Sequence, residues 1–238
     1  MKVVTCQKKN KYFINQSKNN NRRLPPFINL YTSAPGIDRD GSTVANFTYW
    51  SFDNLGEMMK KLLVADKYKR SMANYNFLDI RGGFSLSVAH LRGIHKMKTV
   101  SIENEERHYD GSCLFFNSLV KKHVYKIPFI PIFADAYDIT CFGGAFITYA
   151  FIRGSVPNLI EHIYKVYCKD VTCKYLITSE KFNEDVLMED KITLRDQMSG
   201  VMSNGGGSFQ IYFYSKNKSM KSSSRVNKRR DDENDACI

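Results

Sequence analysis

Three acids and a pair of glycines stand out by type and spacing. Within residues 76–103, Asp79 sits near the end of an apolar run (Phe77, Leu78, Ile80), Gly82-Gly83 follows at once, and Glu103 closes a second apolar run at residues 99–102. Glycine lets a backbone approach a ligand closely, and the N–H groups opening the next helix can receive it. A carboxylate after the second strand can accept hydrogen bonds from both hydroxyls of a ribose. Strand, glycine turn, helix, strand, acid is the opening unit of a nucleotide-binding sheet. A third acid, Asp135, follows a later apolar stretch. The turn departs from the dinucleotide fingerprint, because its glycines are adjacent, Arg81 stands where small residues are usual, and Phe84-Ser85 follow. An ordinary strand–turn–helix without a ligand is the competing reading of this stretch alone.

The elements that must position these residues are legible on both sides. Phe47-Thr48-Tyr49-Trp50 leads into a helix in which Leu55, Met58, Met59, Leu62 and Leu63 recur at helical spacing, with Ser51 or Asp53 as the expected N-cap. Beyond Glu103 the pattern predicts a helix within residues 105–123 carrying Leu114, Phe115, Leu119 and Val120, and a strand over 142–151. A helix over 157–167 and a strand over 174–179 follow. Residues 183–197 read as an acidic, irregular region with room for a short strand, 201–207 as a glycine turn, and 208–215 as an edge or antiparallel strand. Strands alternating with helices, then a terminal strand pair, predict an α/β three-layer sandwich around a mostly parallel sheet.

Bulk properties narrow the classes. The 238 residues carry 35 Lys and Arg against 24 Asp and Glu, a net charge of +11. Residues 1–26 hold seven bases and no acid, and residues 216–238 hold seven bases and four acids, so the two ends account for +10. The expected organisation is a basic disordered tail (1–26), one domain (27–215) and a second disordered tail (216–238). Basic tails suit nucleic acid, chromatin, an acidic membrane surface or an import receptor. The six cysteines show no CxxC pair and read as reduced thiols of an intracellular protein. The five histidines form no HExxH or His-x-His pattern, which predicts no metal site. The apolar, uncharged stretch 139–152 is too short to span a bilayer, so no membrane partner is expected.

The order helix, glycine turn after Asp79, acid at Glu103 and Asp135 after a later strand resembles the class I S-adenosylmethionine-dependent methyltransferases. Within that class the chain is most similar to the disruptor-of-telomeric-silencing family, histone lysine methyltransferases without a SET domain. Thr48-Tyr49-Trp50-Ser51 resembles that family's Tyr-Gly-Glu loop, and residues 77–83 resemble its Asp-Leu-Gly-Ser-Gly turn. Residues 147–151 resemble its Asn-Asn-Phe-Ala-Phe segment, residues 175–182 its strand ending in Ser-Lys-Pro-Phe, and the terminal strand its last strand. The departures are Trp50 and Ser51 for a glycine and an acid, Arg81 for the first turn glycine, Thr148 and Tyr149 for the asparagines, and Ala136 for an aromatic.

The resemblance implies a seven-stranded sheet of the class I type with S-adenosyl-L-methionine as cofactor. Gly82 and Gly83 would line its methionine and ribose side, and Asp79 would order the turn or reach the methionine amino group through water. Glu103 would accept from the ribose hydroxyls, Asp135 from the adenine amine, with Ala136 beside it. Thr48 and Tyr49 would cover the sulfonium, and Tyr49, Thr148 and Tyr149 are the catalytic candidates. The implied function is protein (histone) lysine methylation on chromatin. The partners would be a nucleosome or another protein substrate, and DNA held non-specifically by the basic tails, with nuclear localisation; cytoplasmic is the alternative. A catalytically degenerate fold that serves as a binding or regulatory protein is the second hypothesis. A nucleic-acid methyltransferase is the third, although neither an Asn/Asp-Pro-Pro-aromatic segment nor a Lys-Asp-Lys-Glu set is found.

Overall fold

The computed structural model describes residues 49–83, 85–121, 131–152, 158–201 and 208–217. Seven strands form one sheet in the order β3-β2-β1-β4-β5-β7-β6, comprising β1 (Asn76–Ile80), β2 (Lys98–Glu103), β3 (Ile132–Phe133), β4 (Ile147–Ala150), β5 (Tyr175–Thr178), β6 (Ile192–Val201) and β7 (Ser208–Lys216). The first five strands pair in parallel, and β7 runs antiparallel to both β5 and β6. The helices are α1 (Tyr49–Ala65), α2 (Leu86–His95), α3 (Glu106–Lys121), α4 (Leu159–Lys169) and α5 (Glu184–Glu189), with short 3-10 turns at Met72–Asn74 and Ala136–Asp138. The α/β sandwich with a mostly parallel seven-stranded sheet is the expected architecture.

Both faces of the sheet are covered, as parallel strands require. Strand residues alternate between two cores. Phe77, Tyr149, Ile177 and Phe213 face one cluster with Leu55, Met59 and Leu63 of α1, Val88 and Leu91 of α2, and Phe116 of α3. Leu78, Ile80, Ala150, Leu176 and Tyr214 face the other with Leu159, Ile163 and Tyr167 of α4 and Leu187 of α5. Asp66, just past α1, takes a two-pronged ion pair from Arg195 of β6 (2.9 Å to each oxygen) and a 2.5 Å bond from the Tyr175 hydroxyl. That knot fastens the end of α1 to the far side of the sheet.

Several expectations shift. Helix α1 begins at Tyr49, so Ser51 and Asp53 lie within it rather than capping it. The strand expected over 142–151 is confined to β4, because Gly143 and Gly144 adopt left-handed φ (57° and 79°) and turn the chain before it. Leu114 of α3 is 70% exposed, whereas Phe115 is buried as expected and Phe116 beside it; the Leu119 and Val120 side chains lie outside the described residues. The region taken as irregular holds α5, capped by Asn183 accepting from the Asp185 N–H at 2.9 Å, and the ten-residue strand β6. Lys216 completes β7, and Asn217 accepts from the Thr193 hydroxyl at 2.6 Å. The expected first tail, and residues 218–238 of the expected second, lie outside the described residues. Cys113, Cys141, Cys168 and Cys173 are free thiols. Among the described residues no helix is long and apolar enough to cross a membrane.

Candidate cofactor site at the carboxyl edge of the sheet

In a parallel α/β sheet the ligand site lies at the carboxyl ends of the strands, where β1 and β4 diverge to opposite sides. Here that edge carries the turn between β1 and α2. Its backbone is unusual. Arg81, Gly83 and Ser85 all take left-handed φ, at 60°, 54° and 54°. Three alternate residues thus hold the conformation that glycine adopts without cost, and only one of them is glycine. The spaced-glycine geometry is therefore present although the spaced glycines are not.

What holds the turn is a set of small hydroxyls that sequence reading missed. Ser85 Oγ donates to Ser101 Oγ at 2.9 Å and lies 3.2 Å from Ser112 Oγ, and Ser112 donates to the Gly83 carbonyl at 2.9 Å. All three serines are fully buried. A side chain at Gly82 would run into the Ser101 hydroxyl, so this glycine is required for the turn to lie on β2. Serines scattered over three elements give no signal in sequence; their common feature is tertiary. The Ser85 side chain is committed to this cluster and makes no cap hydrogen bond to α2.

Glu103 closes β2 and is 3% exposed. Its Oε2 accepts from the Gly83 N–H at 2.7 Å, and its Oε1 accepts from the N–H groups of Asn104 (3.0 Å) and Glu105 (2.9 Å). A carboxylate has about four acceptor positions, so roughly one is left in this conformation. Asp79 is fully buried on the α1–α2 side and accepts a hydrogen bond from Ser87. Burial pushes its pKa up to about 7, the Glu103 charge adds to the rise, and the Ser87 bond opposes it. Asp135 is exposed and caps the 3-10 turn by accepting from the Tyr137 N–H at 2.9 Å, with Ala136 buried beneath it.

The structure brings Asp79, Gly82, Gly83 and Glu103 into one cluster, with Asp135 and Ala136 following the neighbouring strand β3, whose Ala134 N–H bonds the Glu103 carbonyl at 3.2 Å. It does not bring Thr148 and Tyr149 together. As neighbours within β4 they point to opposite faces. Thr148 is fully buried and accepts from the Cys173 thiol at 3.3 Å, while Tyr149 is 2% exposed and stacks on Phe77 at 6.2 Å between centroids. Tyr149 pairs with Asp79 across β1 and β4, and the Asp79 charge adds to the rise that burial gives its pKa. Tyr49 opens α1, but Thr48 and the Tyr49 side chain lie outside what is described. Where β4 ends, Ser179 joins it to the end of β5, accepting from the Ile152 N–H at 3.0 Å and donating to its carbonyl at 2.5 Å.

No family model matches the chain, and no curated protein sequence matches it. Solved structures do. A tRNA methyltransferase from B. subtilis (TrmK) aligns with a TM-score of 0.50 at 14% identity, over 70% of this chain and 65% of that one. The chain thus spans just under two thirds of that enzyme's length. A protein described as an RNA methyltransferase from Pyrococcus horikoshii aligns at 0.50 and 12% identity, over 71% and 84%. A magnesium protoporphyrin IX methyltransferase from Synechocystis, solved with bound SAM, aligns at 0.50 and 12%, over 70% and 80%. At such identities the likeness speaks for architecture, and it agrees with the strand order and the turn geometry: the chain has the class I S-adenosylmethionine-dependent methyltransferase fold.

Proposed function

We propose that this chain is an S-adenosylmethionine-dependent methyltransferase whose substrate is RNA. The observation that carries the cofactor reading is the carboxyl edge itself, where a left-handed turn over Gly82-Gly83, the start of α2 and the Glu103 carboxylate converge. The residues fit the cofactor. Gly82 and Gly83 would pass its methionine and ribose portion, Glu103 would take the ribose diol, and Asp135 and Ala136 would flank the adenine. The cofactor supplies an electrophilic methyl group, and the chain has to bind it, align the acceptor and exclude water. Glu103 has about one acceptor position left and a diol needs two, so the Gly83 N–H must give way as the ribose enters. Phosphate attraction to the basic ends supports the RNA reading, as do the names of two of the three aligned structures.

A lysine of a histone is the second substrate reading; it is supported by the resemblance of residues 77–83 and 175–182 to the non-SET family. A cofactor-free binding protein is favoured by one observation, the prior occupation of Glu103 by three backbone donors. The test is titration calorimetry with S-adenosylmethionine, followed by transfer of a labelled methyl group to total RNA, nucleosomes and free histones in parallel. Cofactor binding with label in RNA is expected. Label in histone alone replaces the substrate, and no cofactor binding overturns the reading.

A further inference from the structure

Away from the glycine turn, α1 and α2 press three donor side chains together. Asp53 lies in the second turn of α1, His90 in the middle of α2, and His95 at its last residue, the end remote from the turn. One carboxylate oxygen, Asp53 Oδ1, is 3.8 Å from Nε2 of both His90 and His95, and the three donor atoms all lie within 4.8 Å of one another. The rings are 5.8 Å apart between centroids and tilted at 41°. His90 is 0% and His95 6% exposed, while the Asp53 side chain keeps a 12% opening. Neither nitrogen of His95 makes a hydrogen bond, although both are buried. Gly56, one turn along from Asp53, clears the space for that ring, since any side chain there would overlap the imidazole.

A buried imidazole with neither nitrogen bonded is costly, of the order of 1–3 kcal/mol per unsatisfied group. Two imidazoles converging on one carboxylate have a common resolution in a metal ion. A tetrahedral zinc at its usual bond lengths sets donor atoms roughly 3.4 Å apart, so Asp53 Oδ1 must close on each ring by about 0.4 Å, and the two imidazole donors, within 4.8 Å of one another, by up to about 1.4 Å. Two nitrogens and one oxygen suit zinc among the available divalent ions, and exclude the all-oxygen preference of magnesium or calcium.

We infer that Asp53, His90 and His95 form a zinc site that clamps α1 to α2, with water reaching the fourth position past Asp53. The inference is independent of methyl transfer. The test uses the full chain without a histidine tag, stripped with chelator and equilibrated with Zn2+ alone. About one zinc per chain is expected after dialysis, with a higher melting temperature. Co2+ in its place should give the visible bands of a four-coordinate site without a thiolate charge-transfer band, which separates this site from the cysteines. Asp53→Asn, nearly isosteric, and His95→Gln should each weaken zinc binding at least tenfold and abolish the zinc-dependent rise in melting temperature. Absence of retained zinc, a thiolate band, or binding by Asp53→Asn as tight as the parent's would overturn the inference. The parent measurements decide it even if His95→Gln fails to fold.

Discussion

Asp79 is an acid in surroundings that disfavour its charge. Between pH 4 and pH 7 the folded chain keeps a proton there that the unfolded chain, with a pKa of 3.8, has lost. The folded state then binds more protons, so this group makes stability fall as pH rises through that window and level off above it. Asp79→Asn should remove the penalty, raising stability at pH 8 by on the order of 4 kcal/mol while changing little at pH 4. Urea denaturation of both proteins across pH checks this; a difference that does not vary with pH would mean that Asp79 ionises normally. For Glu103, Glu103→Ala should weaken S-adenosylmethionine binding by about 1–3 kcal/mol, the range for charged hydrogen-bond partners. An unchanged affinity by calorimetry would remove Glu103 from the site. The same substitution strands three backbone N–H groups, so its melting temperature should drop even without cofactor.

At the scale of elements, the turn from β1 to α2 tolerates left-handed Arg81 and Ser85 because the strands, α2 and the serine cluster fix it from both sides. Arg81→Gly should relieve the steric cost of that conformation, about 1 kcal/mol net of the entropy glycine adds to the unfolded chain. A raised melting temperature is the expected readout. Gly82→Ala should do the reverse by pushing the turn off Ser101. At the opposite edge of the sheet, Arg195→Ala removes the partner of a half-buried Asp66 and should cost about 1–3 kcal/mol, measured against Asp66→Asn in a double-mutant cycle. Additive losses would show that the two side chains do not interact.

For the whole molecule, charge and fold are separate. Residues 27–215 hold 21 bases and 20 acids, nearly neutral, while the excess lies in the two ends. Under the RNA reading the ends hold phosphate non-specifically and the domain places the cofactor. Lys228, Arg229 and Arg230 changed together to Ala should weaken nucleic-acid binding, and the parent's affinity should fall steeply with salt. The same triplet in a fluorescent fusion tests the proposed nuclear address. Parent-like binding by the triple variant, or a cytoplasmic parent, would remove the ends from either role. Deleting residues 1–26 and 218–238 should leave the melting temperature nearly unchanged.

The sequence by itself determined the parts whose signal is local. Apolar runs bounded by Asp79 and Glu103 marked β1 and β2, and the Leu55 to Leu63 spacing marked α1, because periodicity records which face is buried. Alternation from residue 208 marked β7. It did not disclose α5, where Leu187 is the one buried side chain, and it left room only for a short strand where the ten-residue β6 runs, an edge strand with a bulge between Leu194 and Asp196 that breaks its alternation. It named Thr148 and Tyr149 together, and the strand sends these neighbours to opposite faces. Tertiary structure alone decided what holds the site. The serines at 85, 101 and 112 meet only when β2 and α3 fold beside the turn. The histidines at 90 and 95, five residues apart on one helix and matching no metal motif, become a donor set only when α1 carries Asp53 and Gly56 against them. Spacing along a chain encodes neighbours within an element, whereas convergence of separate elements is set by packing.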